Sequence, residues 1–287
     1  MGILRERMIE DMQLRGFSVR TQQSYSRAVR KLAQHYHKSP DLVTEEELRQ
    51  YFLYRTNVSR WSRVACTIAL CGIKFFYENT LRKDWTHVGL VKPKRVKSLP
   101  TVLSVEEVRR TLACVHMFRH RVCLTTIYSC GLRLTEGRTM QIPDVDSDRM
   151  FLHVRGKGNK DRYVPLPKRT LELLRDLWRT HRHPQWLFPA PGRGGHAEAT
   201  ANKPMPIASV QMAFKEALAK ARVHKKASVH TLRHSYATHL LEKGVDLRII
   251  QQILGHANPQ TTMVYTQLTE PALKPATEII NQLMADL

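Results

Sequence analysis

Little in this chain suits a secreted, membrane-spanning or nucleotide-driven protein. Its five cysteines, Cys66, Cys71, Cys114, Cys123 and Cys130, are odd in number, form no CxxC pair and fall within apolar-periodic runs. No disulfide framework is expected, and they read as small core residues in a reducing compartment. No apolar run approaches the roughly 20 residues that cross a bilayer, and the charged start, with Arg5, Glu6, Arg7, Glu10 and Asp11, is unlike a signal region. The GxxxxGK(S/T) frame of a phosphate-binding loop is missing, so nothing supports use of ATP. Acidic residues are scarce as well: 25 Asp and Glu stand against 46 Lys and Arg, a formal net charge of +21 over 287 residues. The first 100 residues hold 19 basic and 9 acidic side chains and the remainder 27 and 16, so the excess is spread along the whole length. That distribution suits a protein that surrounds nucleic acid and displaces its counterions. The expected location is the cytoplasm, associated with the nucleoid if DNA is the partner, with no membrane involved.

With 42% hydrophobic residues the chain can fill ordinary cores in one large or two medium domains. The fold class expected is mainly α with a small β-hairpin or sheet (α+β), arranged as two domains. Residues 1–90 read as a helical unit with a cationic exterior. Tyr25, Val29, Leu32, Ala33 and Tyr36 recur at helical spacing, with Arg20, Arg27, Arg30 and Lys31 on other faces. Thr44 and Glu47 have the form of a capping box opening a helix that buries Leu48 and Phe52. A third segment sets Trp61, Val64, Ala65, Ile68, Gly72, Phe75 and Phe76 on one stripe, which at that spacing reads as core packing. Residues 91–100 break the pattern. Pro93 and Pro100 bracket Lys94, Arg95 and Lys97, with Lys92 just ahead of them, in an extended basic linker, open to two readings: a solvated tether, or a strand that follows a phosphate backbone.

Residues 101–287 read as the second domain. It opens with a Ser104–Glu107 capping box and a helix through Val108 and Leu112, followed by a buried helix from about Arg119 to Cys130. Gly131 fits the left-handed position that ends this helix and Thr135 can cap the next, leaving Leu132 and Arg133 in the connection. Met150 to Arg155 alternates as a strand, Tyr163, Val164 and Leu166 form its return, and Gly156-Lys157-Gly158-Asn159 makes the bend. Lys157 is thereby placed at the mouth of a hairpin. Residues 189–206, with three glycines and no apolar period, form a long loop, either disordered or reaching toward a partner. Helical pattern resumes with Val210, Phe214, Ala217 and Leu218, and again in a helix from Val229 to about Lys243, with Gly244 as the stop. His230 and Arg233 share one face near the positive end of its dipole, where a phosphate oxygen is stabilised. The spacing of His230 and His234 would also suit a metal, but the glutamate of HExxH is absent, Thr231 standing in its place. His181, His183 and His196 fall in loop-like stretches and read as solvated.

Gly131-Leu132-Arg133, Gly156 to Arg162, His230-Thr231-Leu232-Arg233-His234 and Leu254-Gly255-His256, nine residues ahead of Tyr265, together resemble the tyrosine recombinases, or phage integrase family, in its Xer-like and integron-integrase-like branch. Arg20-Thr21-Gln22-Gln23-Ser24-Tyr25 is similar to the start of that family's core-binding domain. The resemblance implies a two-domain clamp on double-stranded DNA: residues 1–90 as core-binding domain, 91–100 as linker, 101–287 as catalytic domain with a tail helix.

It further implies that Tyr265 attacks phosphorus to leave a 3′-phosphotyrosyl bond and a free 5′-hydroxyl. Arg133 and Arg233 would fork onto the non-bridging oxygens, work for which bidentate guanidinium is suited. Lys157 would protonate the departing 5′-oxygen, His230 would serve as base or hydrogen-bonding partner, and His256 would be a further phosphate donor. Glu136 resembles the acidic residue that orients the site in relatives, though a helix-cap or surface role explains it equally. No metal and no nucleotide cofactor is implied. Arg20, Arg27, Lys92, Lys94, Arg95, Lys97, Lys160 and Arg162 are expected to contact DNA. A tetramer in the synaptic complex is expected; the apolar stripe Ile279, Ile280, Leu283, Met284 and Leu287 can dock in a neighbour's groove or fold back onto its own core, and the resemblance favours docking in the neighbour. Departures from the family are Gly137 and Arg138, which either loosen local packing or add a phosphate contact, and the 189–206 loop, whose lack of helical pattern favours an Xer-like or transposon-borne enzyme over an integron one. The competing functions are a DNA-binding accessory protein without chemistry and a type IB topoisomerase.

Overall fold

A computed structural model of the chain describes residues 2–83, 99–156, 161–192 and 198–255. The chain divides into two compact units, Met1–Lys97 and Ser98–Leu287. Of the basic segment 91–100 only Leu99 and Pro100 are among the described residues, so Lys92, Lys94, Arg95 and Lys97 lie outside them. Cys71 departs from expectation: it is exposed, whereas Cys66, Cys123 and Cys130 are buried.

The first unit is a bundle of α1 (Gly2–Leu14), α2 (Val19–Tyr36), α3 (Glu45–Asn57) and α4 (Arg63–Phe75), the last prolonged by a wider turn over Phe76–Thr80. Local chemistry sets its helix starts. Ser18 Oγ accepts the Thr21 N–H at 3.3 Å, Ser62 Oγ accepts the Ala65 N–H at 3.3 Å, and Thr44 and Glu47 exchange the two bonds of a capping box. Met8, Met12, Leu32, Leu48, Tyr51, Ile73 and Phe76 fill the core. The buried face of α4 differs from the stripe expected. Cys66, Ala69, Ile73 and Phe76 point inward, whereas Val64 and Ile68 are exposed. The two lie two residues either side of Cys66, about 200° round the helix, and so must face away from the side that meets α2.

The second unit comprises α5 (Val105–Ala113), α6 (Phe118–Ser129), α7 (Leu134–Arg138), a three-stranded antiparallel sheet, α8 (Lys168–His181), α9 (Ile207–Lys220), α10 (Val229–Glu242) and α11 (Leu247–Leu254). Its sheet runs β1 (Val145–Asp146), β2 (Phe151–Val154), β3 (Arg162–Pro165), with Leu152 opposite Val164 and His153 opposite Tyr163. β1, α8 and α11 add to the elements expected. On α6 the fully buried Val122, Cys123, Leu124 and Ile127 spread over more than half of the circumference, so the helix needs several partners. It packs against α5, α7, α8, α9 and α10.

Thr135 does not cap α7; the N-cap is Arg133, because the Glu136 carboxylate accepts the Arg133 backbone N–H at 2.8 Å. Gly137 does not loosen packing: a Cβ there would lie 2.6 Å from Ile127 Cγ1, so its absence lets α7 close on α6. Arg138 is turned to the protein itself, donating to Met205 O at 2.8 Å. The ends of the 189–206 loop are zipped together, Ala190 N donating to Lys203 O and Met205 N to Phe188 O. His181 and His183 are buried rather than solvated. Backbone N–H groups beyond the end of α8 need acceptors: His181 Nδ1 takes that of His183, and His183 Nδ1 takes those of Gln185 and Trp186. His196 lies outside the described residues.

Candidate active site

Three segments far apart in sequence meet at the carboxylate of Glu136. Arg133 is delivered by the end of α6. Gly131 adopts φ 61°, and Leu132 N reaches back to Ile127 O at 2.9 Å, the closure of a helix by a left-handed residue. The next residue but one is therefore fixed at the start of α7, where Arg133 Nη1 donates to Glu136 Oε1 at 2.6 Å. Arg162 enters from β3, donating to both carboxylate oxygens at 3.2 and 2.8 Å. Arg233 rises from the first turns of α10, with Nη1 at 3.7 Å from Glu136 Oε2.

The exposures of these four side chains separate their possible uses. Glu136 is 8% exposed, Arg162 9%, Arg233 1% and Arg133 38%. Three guanidiniums around one buried carboxylate leave a net positive pocket, with Arg133 at its open edge. Burial alone would raise the Glu136 carboxyl, but the bonds and charge of Arg162 and the backbone and side chain of Arg133 hold it down at about 2. Glu136 is thus an ionised hub, and the surface role left open for it is excluded.

His230 stands at the start of α10, which opens with the Ser228 N–H donating to Thr231 Oγ1 at 3.0 Å. Although the residue keeps an exposed edge, crowding by protein atoms lowers its pKa first, then the charges of Arg233 and Arg133, against an opposing pull from Glu136. All four therefore share one electrostatic neighbourhood, and a neutral imidazole is favoured there. His234 meets the His230 ring edge to face at a centroid distance of 4.5 Å, and burial together with His230 and Arg233 lowers it to about 4. Among the described residues no three His, Cys, Asp or Glu side chains converge as a metal site would require.

The strands that flank residues 157–160 are braced at their base. Asp161 accepts the Gly156 N–H at 3.0 Å and lies 3.1 Å from His153 Nε2, while Arg155 meets Asp144 at 3.0 Å. Lys157 and Lys160 themselves lie outside the described residues, as do His256, Tyr265 and the tail stripe. The described chain ends at Gly255, which closes α11 at φ 61° beside this pocket.

The DNA contacts expected from charge divide. Arg20 and Arg27 are exposed on α2, whereas Arg162, expected to meet DNA, turns inward. The signal was in the strand period. Arg162 shares parity with Val164 and Leu166, both buried, so its side chain must point to the core side.

Residues 101–271 match the phage integrase family, and residues 4–87 match the phage integrase N-terminal SAM-like domain. A Sinorhizobium fredii protein described as an integrase/recombinase is 42% identical over 267 residues, 92% of this chain and 84% of that one. The tyrosine recombinase XerA of Pyrococcus horikoshii is 34% identical over 79% of this chain and 77% of its own. Among solved structures, XerH site-specific recombinase bound to palindromic difH substrate superposes with a TM-score of 0.72 at 23% identity, covering 94% of this chain and 83% of that one, a likeness of fold.

Proposed function

Since the chain belongs to the phage integrase family and is a tyrosine recombinase, we propose that it cleaves and rejoins double-stranded DNA through Tyr265. The phenolic oxygen attacks the scissile phosphorus, the bond to the 5′-oxygen breaks, and a 3′-phosphotyrosyl link and a 5′-hydroxyl result. Arg133, at the open edge of the pocket, forks onto the non-bridging oxygens, and Arg233 supports them from the floor. Lys157 delivers the proton that the departing oxygen takes up. His230, whose pKa is lowered by crowding first and by Arg233 and Arg133 next, acts as base or hydrogen-bonding partner, and His256 donates to the phosphate. Glu136 orients the arginines. Because the phosphotyrosyl bond conserves the energy of the phosphodiester, a 5′-hydroxyl from a second strand reverses the step and seals the exchange.

The observation that carries this reading is the gathering of Arg133, Arg162 and Arg233 about Glu136 against Gly255, the cap of α11, one residue before His256 and ten before Tyr265. Such a cluster of fixed cations suits the charge of a pentacoordinate phosphorus. The exposed Arg20 and Arg27 of α2, with the basic linker and Lys160, grip the duplex backbone. Four protomers assemble on two duplexes in the cytoplasm, each lending its C-terminal tail to a neighbour.

The decisive experiment denatures cells that express the protein, recovers DNA still attached to it and sequences the ends. Wild-type protein should carry DNA joined at a recurring sequence, and Tyr265→Phe should carry none while still binding DNA. An adduct that survives Tyr265→Phe removes Tyr265 as the nucleophile.

A further inference from the structure

Three consecutive carbonyls at the end of α11 are each taken by a different arginine. Arg162 Nε donates to Ile253 O at 2.7 Å, Arg233 Nη2 to Leu254 O, and Arg133 Nη2 to Gly255 O at 3.4 Å. The last carbonyls of a helix lack intrahelical partners and form the negative end of its dipole, so three cations there make a strong cap. On their other side the same three guanidiniums face Glu136.

Arg162 differs from the other two. Its Nε is given to Ile253 and both its terminal nitrogens to the two oxygens of Glu136, with the side chain 9% exposed. Its stem lies against Gly255, where an added Cβ would stand 2.9 Å from Arg162 Cδ. It is also the first residue of β3, the strand that follows residues 157–160. One side chain therefore joins the base of the hairpin directly to the last turn before His256 and, through the carboxylate of Glu136, to Arg133.

We propose that Arg162 is a positioning residue for strand cleavage. It registers the end of α11, and so the start of the segment bearing His256 and Tyr265, against the hairpin bearing Lys157. By occupying both oxygens of Glu136 it limits how far that carboxylate neutralises Arg133, whose charge is then available to phosphate. The inference rests on the roles assigned above to Arg133, Lys157 and Tyr265. A lysine in its place keeps the charge but is a point donor on a flexible stem, unable to span Ile253 O and both carboxylate oxygens in one plane.

The test uses full-length Arg162→Lys and Arg162→Gln on a nicked duplex bearing the end sequence recovered with wild-type protein, so that cleavage traps the adduct. Binding is measured against salt, and single-turnover adduct formation at saturating protein. For Arg162→Lys the affinity should stay within about twofold and its salt slope unchanged. The adduct rate should fall about tenfold to a hundredfold, as expected when reacting groups are displaced by about 1 Å. Arg162→Gln should be slower still, and adding Glu136→Gln to either variant should cost less than it costs the wild type.

An adduct rate for Arg162→Lys equal to wild type overturns the proposal. So does a loss confined to binding with the salt slope reduced by about 0.9, the signature of a phosphate contact. Fully additive losses with Glu136→Gln overturn the route through that carboxylate. Loss of the thermal unfolding transition in Arg162→Lys would reduce Arg162 to a stability role and likewise overturn it. Failure of the wild-type chain to form any adduct sinks the underlying reading and this inference with it, whereas wild-type cleavage with an unimpaired Arg162→Lys sinks the inference alone.

Discussion

Arg233 Nη1 donates to the carbonyl oxygen of Gly131 at 2.7 Å, tying α10 to the turn that delivers Arg133. Gly131 sits at φ 61°, and a Cβ there would stand 2.7 Å from the ring of Tyr236, on the same helix as Arg233. Gly131→Ala should therefore strain the turn and push on α10 together. The left-handed conformation costs roughly 1–2 kcal/mol and the overpacking about as much again. Urea unfolding should show a loss of about 2–4 kcal/mol, with adduct formation slowed in the protein that remains folded. An unchanged unfolding midpoint would mean that the turn relaxes without cost and does not fix the arginine pair.

Glu136 yields a pH prediction with a definite sign. Its carboxyl falls from an ordinary 4.5 to about 2 in the folded protein, against its own burial, through Arg162 and Arg133. A depressed carboxyl contributes stability that is complete above the unfolded value and lost as pH falls from about 4.5 toward 2. The depression amounts to about 3 kcal/mol. The stability gap between wild type and Glu136→Gln should therefore be widest near neutrality and shrink steadily below pH 4.5. Urea unfolding at several pH values measures it, and a gap independent of pH would contradict an ionised hub.

What could be read ahead of the structure followed locality. The capping boxes Thr44–Glu47 and Ser104–Glu107, the stop at Gly131 and the pairing of β2 with β3 each depend on residues within one turn or one hairpin, and the chain folds them as expected. The stripe on α4 was legible only in part, because Val64 and Ile68 are as apolar as Cys66 and Ala69, and only the position of α2 decides which pair is covered. Glu136 illustrates the limit more sharply. Its spacing from Arg133 is local, but the partners that make it a hub, Arg162 and Arg233, come from a strand and a helix whose packing no short pattern encodes. The burial of His183 is not encoded locally for a related reason. Its acceptor nitrogen serves the Gln185 and Trp186 N–H groups, a need that exists only once α8 has ended where it does.

His230 gives a second pH prediction. Crowding and the charges of Arg233 and Arg133 lower its pKa from 6.5, so the neutral ring persists into mildly acidic solution. If the neutral ring is the working form, adduct formation should hold steady through pH 6.5 and fall only below it. In His230→Gln that acid limb should vanish, leaving a slower and flatter profile. A limb centred at or above 6.5 in wild type, or one that persists in His230→Gln, would assign the titration to another group.

The outer face of α2 provides the most direct test of DNA contact outside the pocket. Arg20, Arg27 and Lys31 are exposed and spaced 7 and 4 residues apart, which brings them onto one side of the helix, while Ala28, Val29, Leu32 and Ala33 are buried on the other. A cation that neutralises one phosphate displaces its counterion, so removing it lowers the slope of log affinity against log salt by about 0.9. Arg27→Ala should show that decrement on any duplex, because a backbone contact positions the protein without reading sequence. Folding stability should stay within about 0.5 kcal/mol, since the residue is exposed and away from the core. A weakened affinity with the slope intact would point to a disturbed fold or a base contact, and an unchanged affinity would place the duplex on another face of this unit.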